Sequence, residues 1–204
     1  MSLLVTQSLI GAWNYLLREN PYSDATTEDT AMDDFMKTLR REPTPTTEAM
    51  QNGIDFEEMV TLILAGEKVC EKDPWFNAAK EIAGILAGAQ LQVKISKHVE
   101  LEGEDVVLHG RLDALKAGTI YDIKFSKGYD RGKFINSPQH PLYLDICPDA
   151  NEFSYLISDG NNVWTETYRR EEVQSIQYVV RLMFGWLKAH DLWETYTTYW
   201  GSTK

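Results

Sequence analysis

Between Gly110 and Lys124 the chain carries a lone acid, Asp113, on one apolar segment and the triplet Asp122-Ile123-Lys124 on the next. If the two segments are neighbouring strands, two carboxylates and an ammonium converge at one spot, the minimum equipment for metal-dependent cleavage of a phosphodiester. Carboxylates held close repel and raise each other's proton affinity unless a cation sits between them. Their hard oxygens favour Mg²⁺ or Mn²⁺ over zinc, which prefers His and Cys. Acids and lysines on one face of a half-exposed hairpin also fit a plain solvated surface with weak cross-strand ion pairs. The company the triplet keeps decides between the two.

The elements that must position these residues show in the side-chain period. Leu108, Leu112 and Ala114 alternate with His109, Arg111 and Asp113. Tyr121, Ile123 and Phe125 alternate with Ile120, Asp122 and Lys124, so each run is expected to be a strand with one apolar and one polar face. Lys116-Ala117-Gly118-Thr119 suits a hairpin turn, which would bring Asp113 and Asp122 to one side of the sheet. Upstream, an apolar helical run opens at Gly53, with Phe56, Met59, Val60 and Ile63 as its buried stripe and Glu57 at the margin, able to face the sheet. Downstream, Ser137 fits an N-cap and Pro138 a first helical position, which puts Gln139 and Tyr143 on one helical face. Taken alone, the last two read as a solvent glutamine and a half-buried tyrosine.

The order Gly53-x-x-x-Glu57, Gly110-x-x-Asp113, Asp122-x-Lys124, Gln139-x-x-x-Tyr143 resembles the PD-(D/E)XK nuclease superfamily, in particular its RecB-like and phage (lambda-type) exonuclease branch. The likeness covers residues 53–146, and the opening Val5-Thr6-Gln7-Ser8-Leu9-Ile10 resembles the branch's N-terminal segment. Leu112 stands where the family has proline, and the second acid is Asp122 rather than Glu; both variants fit the branch. The resemblance implies an α/β restriction-endonuclease-like core, a central sheet with helices on both faces. It also implies a metal held by Asp113, Asp122 and the Ile123 carbonyl, with Glu57 reaching in directly or through water. Lys124 would orient the attacking water, and Gln139 and Tyr143 would position the DNA strand or Lys124. An exonuclease acting at double-stranded ends is implied, with DNA as partner and a single-strand annealing protein and a second copy of the chain as further candidates. A catalytically silent relative that binds nucleic acid or protein, and a site-specific endonuclease, are the alternatives.

The rest of the sequence supplies matching pieces for one domain over residues 1–204. Residues 1–89 read as mostly helical, with helices over 3–17, 30–41 and 74–89. Strands are expected over 90–101, 105–115, 119–125, 152–158 and 162–168, within a sheet core spanning 90–170. A long C-terminal helix is expected from about 171, with Val173, Ile176, Val180, Met183 and Leu187 at helical spacing.

A hydrophobic content of 43% suffices for a sizeable core. The longest uncharged apolar stretch, 82–89, is too short to span a membrane. The first basic side chain is Arg18, so no secretory signal is expected, and the chain is expected to be cytoplasmic. Cys70 and Cys147 lack ligand spacing, so neither zinc nor an iron–sulfur cluster is expected, and both read as reduced core thiols. The net charge of −11 argues against a passive DNA-coating protein but leaves room for local positive charge. After the triplet, Lys127, Arg131 and Lys133 outnumber Asp130 in a glycine-containing loop that reads equally as a phosphate-contacting segment or as a mobile surface loop; Arg111 and Lys94 would widen the patch. His109 and His140 read as ordinary hydrogen-bonded histidines. The aromatic tail Trp186, Trp193, Tyr196, Tyr199 and Trp200 would either stack bases or pack a helix onto the domain.

Overall fold

The computed structural model describes residues 1–18 and 25–202. Its strands are β1 (Ser2–Thr6), β2 (Gln90–Leu101), β3 (Glu104–Lys116), β4 (Thr119–Phe125), β5 (Glu152–Ser158), β6 (Val163–Arg169) and β7 (Gly201–Ser202). Its helices are α1 (Gln7–Leu16), α2 (Ala25–Leu39), α3 (Glu48–Leu64), α4 (Phe76–Leu86), α5 (Gln139–Ile146), α6 (Ile176–Ala189) and α7 (Trp193–Trp200). The strands form one mixed sheet in the order β6-β5-β4-β3-β1-β7, with β2 paired to β3. The fold is α/β, with apolar clusters on both faces of the sheet. One gathers Leu9, Leu108, Leu112, Ile120, Phe153 and Met183; the other gathers Phe56, Val60 from α3, Ile82, Leu86 from α4, Ala114 and Leu156.

What positions the site is the way β3 shares its edges. One edge carries β2 from Leu101↔Glu104 to Gln90↔Leu115. The other serves two strands, β1 in parallel up to Thr6↔His109 and β4 antiparallel from Ala114↔Tyr121. Residues 110–113 lie in the gap between them, because β1 turns into α1 after Thr6 and β4 splays away. The β3–β4 hairpin closes through Ala117 (φ 49°) and Gly118 (φ 80°), the double left-handed turn that matches strand twist.

Several elements differ from the sequence reading, each for a local reason. Residues 2–6 are a strand, since Leu3 and Val5 alternate into the core beside β3; α1 starts only after Thr6, whose side chain accepts the Leu9 N–H. Helix α3 starts at Glu48 under a Thr47 cap, which leaves Gly53 inside it. Helix α2 begins at Ala25, not Thr30, and α4 spans only Phe76–Leu86. The expected helix from 171 begins at Ile176, because the Asp145 carboxylate accepts the Ser175 hydroxyl at 2.6 Å and the Ile176 N–H at 2.9 Å. It then breaks at Asp191, which has φ 57°, so the C-terminal part is two helices and a short strand rather than one helix. Ser137 is not the cap of α5: Pro138 takes that place, and Ser137 Oγ accepts the Gln139 N–H at 3.3 Å. Cys147 is buried as expected, whereas Cys70 is exposed. No helix among the described residues is long and apolar enough to cross a membrane.

Candidate active site

Asp113 stands in the gap of the β3 edge, between Leu112, which packs on one face of the sheet, and Ala114, which packs on the other. The expectation of one apolar and one polar face therefore fails here. Both faces are covered, and the side chain of Asp113 turns toward β4, where its Oδ2 accepts the Ile123 N–H at 2.9 Å. Continued register would place Leu112 opposite Ile123. The carboxylate takes that ladder position instead, which satisfies the amide and holds the strands open.

Asp122 is only 3% exposed. Its Oδ1 accepts the Gln139 side-chain amide. The Lys124 ammonium lies 2.6 Å from Oδ2, so this buried oxygen is ion-paired. The Lys124 side chain keeps a third of its surface in solvent, at 33%. Gln139 and Tyr143 are both buried, against the reading of Gln139 as a solvent residue. The Tyr143 ring lies so close over Gly110 that a Cβ there would meet its Cε1 at 2.4 Å. The glycine of the motif is thus a packing requirement.

Glu57, half-buried on α3, lies one step back. Its Oε1 accepts the Gln92 side-chain amide at 2.7 Å. Its charge is felt at Asp113. Among the described residues, no three His, Cys, Asp or Glu side chains gather closely enough to hold a metal ion by themselves. The arrangement offers Asp113 and Asp122 together, with Glu57 outside their immediate contact.

Electrostatics follow from burial. Desolvation, then the neighbouring charges of Asp122 and Glu57, push the Asp113 carboxyl up to about 8, against the pull of the Ile123 N–H and Lys124. Asp122 is also raised by burial, and Lys124 and Gln139 oppose that rise. Burial and the two aspartates push the Tyr143 phenol up to about 12, so it stays a neutral donor.

The basic loop after β4 is exposed at Lys127, Arg131 and Lys133, and hydrogen bonds tie it to β6 and to itself. Glu166 of β6 accepts the Tyr129 hydroxyl at 2.6 Å, the Gly132 and Phe134 N–H groups at 3.1 and 3.2 Å, and the Tyr168 hydroxyl. Lys133 donates to Ser126 Oγ at 2.5 Å and to the Gly128 carbonyl at 3.0 Å, stapling the loop on itself. Arg111, exposed on β3, is the cross-strand partner of Lys94. His140 is buried, stacks on Tyr168 at 4.0 Å and is lowered by burial to about 4, so it is a neutral core histidine. His109 is half-buried on β3 beside Thr6 of β1. The aromatic tail packs inward: Trp200 donates to the Leu39 carbonyl at 2.8 Å and Tyr196 to that of Leu4 at 3.0 Å, with Tyr199 left exposed.

Sequence reasoning missed Gln92 and Glu166. Each works through a partner distant in sequence, and neither lies in a motif.

No protein-family model matches the chain, and no curated protein matches it in sequence. A solved structure, the crystal structure of SSO0001, is similar to it at 12% identity over 93% of this chain and 77% of that one, with a TM-score of 0.55. At that identity the likeness concerns the fold alone.

Proposed function

We propose that the chain is a Mg²⁺- or Mn²⁺-dependent deoxyribonuclease of the PD-(D/E)XK kind, an exonuclease at double-stranded DNA ends. The observation that carries this reading is the pair of buried acids beside one ammonium: Asp122, 3% exposed and ion-paired to Lys124 at 2.6 Å, lies beside an Asp113 carboxyl pushed up to about 8. Two desolvated acids in that state leave hard oxygen atoms for which a divalent ion is the natural counter-charge. The ligands would be Asp113, Asp122 and the Ile123 carbonyl, with Glu57 acting through water. When bound, the ion would supply a water acidic enough to attack phosphorus and would offset charge on the phosphate oxygens.

The chain's own residues do the rest. Gln139 fixes the Asp122 carboxylate through Oδ1, so that Oδ2 stays turned to the site. Lys124, exposed enough to meet solvent and substrate, would donate to the attacking water and to the oxygens of the pentavalent state. Tyr143, kept neutral, would hold its hydroxyl beside the two acids. Arg111 and Lys94 on the sheet, with Lys127 and Arg131 on the pinned loop, would contact phosphates. Lys133 would do so only on leaving its staple. A single-strand annealing protein and a second copy of the chain are proposed as partners on the resemblance alone.

Incubating linear and closed circular duplex DNA with Mg²⁺ or Mn²⁺, with and without EDTA, tests the reading. Loss of nucleotides from linear DNA only, abolished by EDTA, is the expected result. Cutting of the circle would favour a site-specific endonuclease, and binding without any cutting a silent relative. Undiminished hydrolysis in EDTA would remove the metal mechanism.

A further inference from the structure

Five non-glycine residues among those described have a left-handed backbone: Arg41, Gln92, Glu102, Ala117 and Asp191. Four of them lie in turns or just past helix ends; Gln92 lies inside a strand. In the β2–β3 ladder the pairs run Gln90↔Leu115, Leu91↔Ala114 and then Val93↔Leu112, so Gln92 (φ 53°) faces Asp113 across a skipped position. A glutamine gains nothing from this conformation, which glycine or asparagine adopts at lower cost. Strain of this kind persists where the surroundings over-determine it, and such places cluster at functional sites. Here the outcome is visible: the strand's irregular turn brings the Gln92 amide to Glu57, where Nε2 donates to Oε1 at 2.7 Å.

We infer that Gln92 is a positioning residue that sets the orientation of Glu57 toward the paired aspartates, an inference that rests on the nuclease reading. Glu57 sits within electrostatic reach of the Asp113 carboxyl. A half-buried carboxylate turns to solvent unless something holds it. A lysine would hold it but cancel its charge; a carboxamide holds one oxygen and leaves the other, Oε2, charged and available to water. The reach matters as well. Glutamine spans from the edge strand to α3, and asparagine, better suited to the backbone, is one methylene short.

The test uses Gln92→Gly and Gln92→Asn, alone and with Glu57→Ala, reading thermal stability without metal, Mn²⁺ affinity by calorimetry, and kcat and KM on linear DNA. Both Gln92 variants relieve the backbone, so stability is expected to hold or rise. Mn²⁺ affinity and kcat are expected to drop on the order of tenfold, as when a residue supporting a ligand is removed, with KM unchanged. In the Glu57→Ala background the Gln92 change is expected to add nothing, because its effect travels through that carboxylate. Wild-type Mn²⁺ affinity and kcat in both single variants would overturn the inference, and so would a loss of stability alone or losses that add to those of Glu57→Ala. A wild-type protein that binds no Mn²⁺ would overturn the metallonuclease reading and this role with it, an outcome distinct from a variant that behaves like a metal-binding wild type.

Discussion

The proposed mechanism assigns Asp113 and Lys124 different work, a metal ligand on one strand and a donor to the reacting groups on the next, and substitutions separate the two jobs. Asp113→Asn removes a charge from the pair of acids, so Mn²⁺ binding and cleavage should both be lost. Lys124→Ala leaves the acids in place and should keep the metal while cutting on the order of a hundredfold more slowly, the cost of losing one transition-state donor. Calorimetry and a nuclease assay on the two variants check this, and a Lys124→Ala protein that cuts at the wild-type rate would sink the assignment. The raised carboxyls add a pH signature. Asp113 moves from an ordinary 3.8 to about 8 on folding, so the folded state keeps a proton there that the unfolded state releases. The contribution of this group to the stability of the metal-free protein should therefore be full below about pH 4 and be lost as pH rises toward 8, by up to about 1.4 kcal/mol per pH unit. Metal must displace that proton, so Mn²⁺ affinity should climb with pH and level off above about 8. A pH-independent affinity between 5 and 8 would contradict the protonated pair.

At the scale of elements, the site depends on how closely α5 approaches the gap in β3. Gly110→Ala would put a methyl 2.4 Å from the Tyr143 ring. The ring must move, at a cost of roughly 1–3 kcal/mol for overpacking. Denaturant melts should show that loss, and adding Tyr143→Ala should recover its steric part. The loop after β4 depends on β6 in a comparable way. Glu166→Ala would release Tyr129, Tyr168 and the amides of Gly132 and Phe134 together, so duplex affinity should weaken while Mn²⁺ affinity stays at its wild-type value. Equal duplex affinity in the variant would show that the loop needs no anchor. These elements also mark what could be read from the sequence. Strand and helix periods made Asp113, Asp122 and Lys124 legible as one polar cluster, the motif resemblance added Gln139 and Tyr143, and the structure brings all five together. Gln92 and Glu166 were not legible, since left-handed backbone and long-range hydrogen bonds leave no periodic trace. β1 was misread because Leu3 to Leu9 satisfies a helical and a strand period equally, and only its pairing with β3 decides between them.

For the whole molecule, the helical and strand patterns supplied the pieces and the resemblance implied an α/β sheet covered on both faces, while strand order, the shared edge of β3 and the break between α6 and α7 belong to tertiary packing. The balance of charge acts at this same scale. The chain carries a net charge of −11, yet Lys94 and Arg111 on the strands beside Asp113 and Lys127 and Arg131 in the loop after β4 are exposed cations. Salt should therefore move two properties in opposite directions. Excess negative charge repels itself across a folded surface, so screening it stabilises the compact state, and Tm should rise as NaCl goes from about 10 mM to 200 mM. Duplex binding rests on local cations that release counterions from phosphates, so its affinity should fall over the same range with a log–log slope of about −0.9 per phosphate contacted. Replacing Lys127 and Arg131 with Gln should flatten that slope by one to two contacts and leave the Tm response in place. A DNA affinity that is insensitive to salt, or a slope unchanged in the double variant, would mean that the duplex does not run past this loop, and the path of the substrate would have to be sought on another face of the sheet.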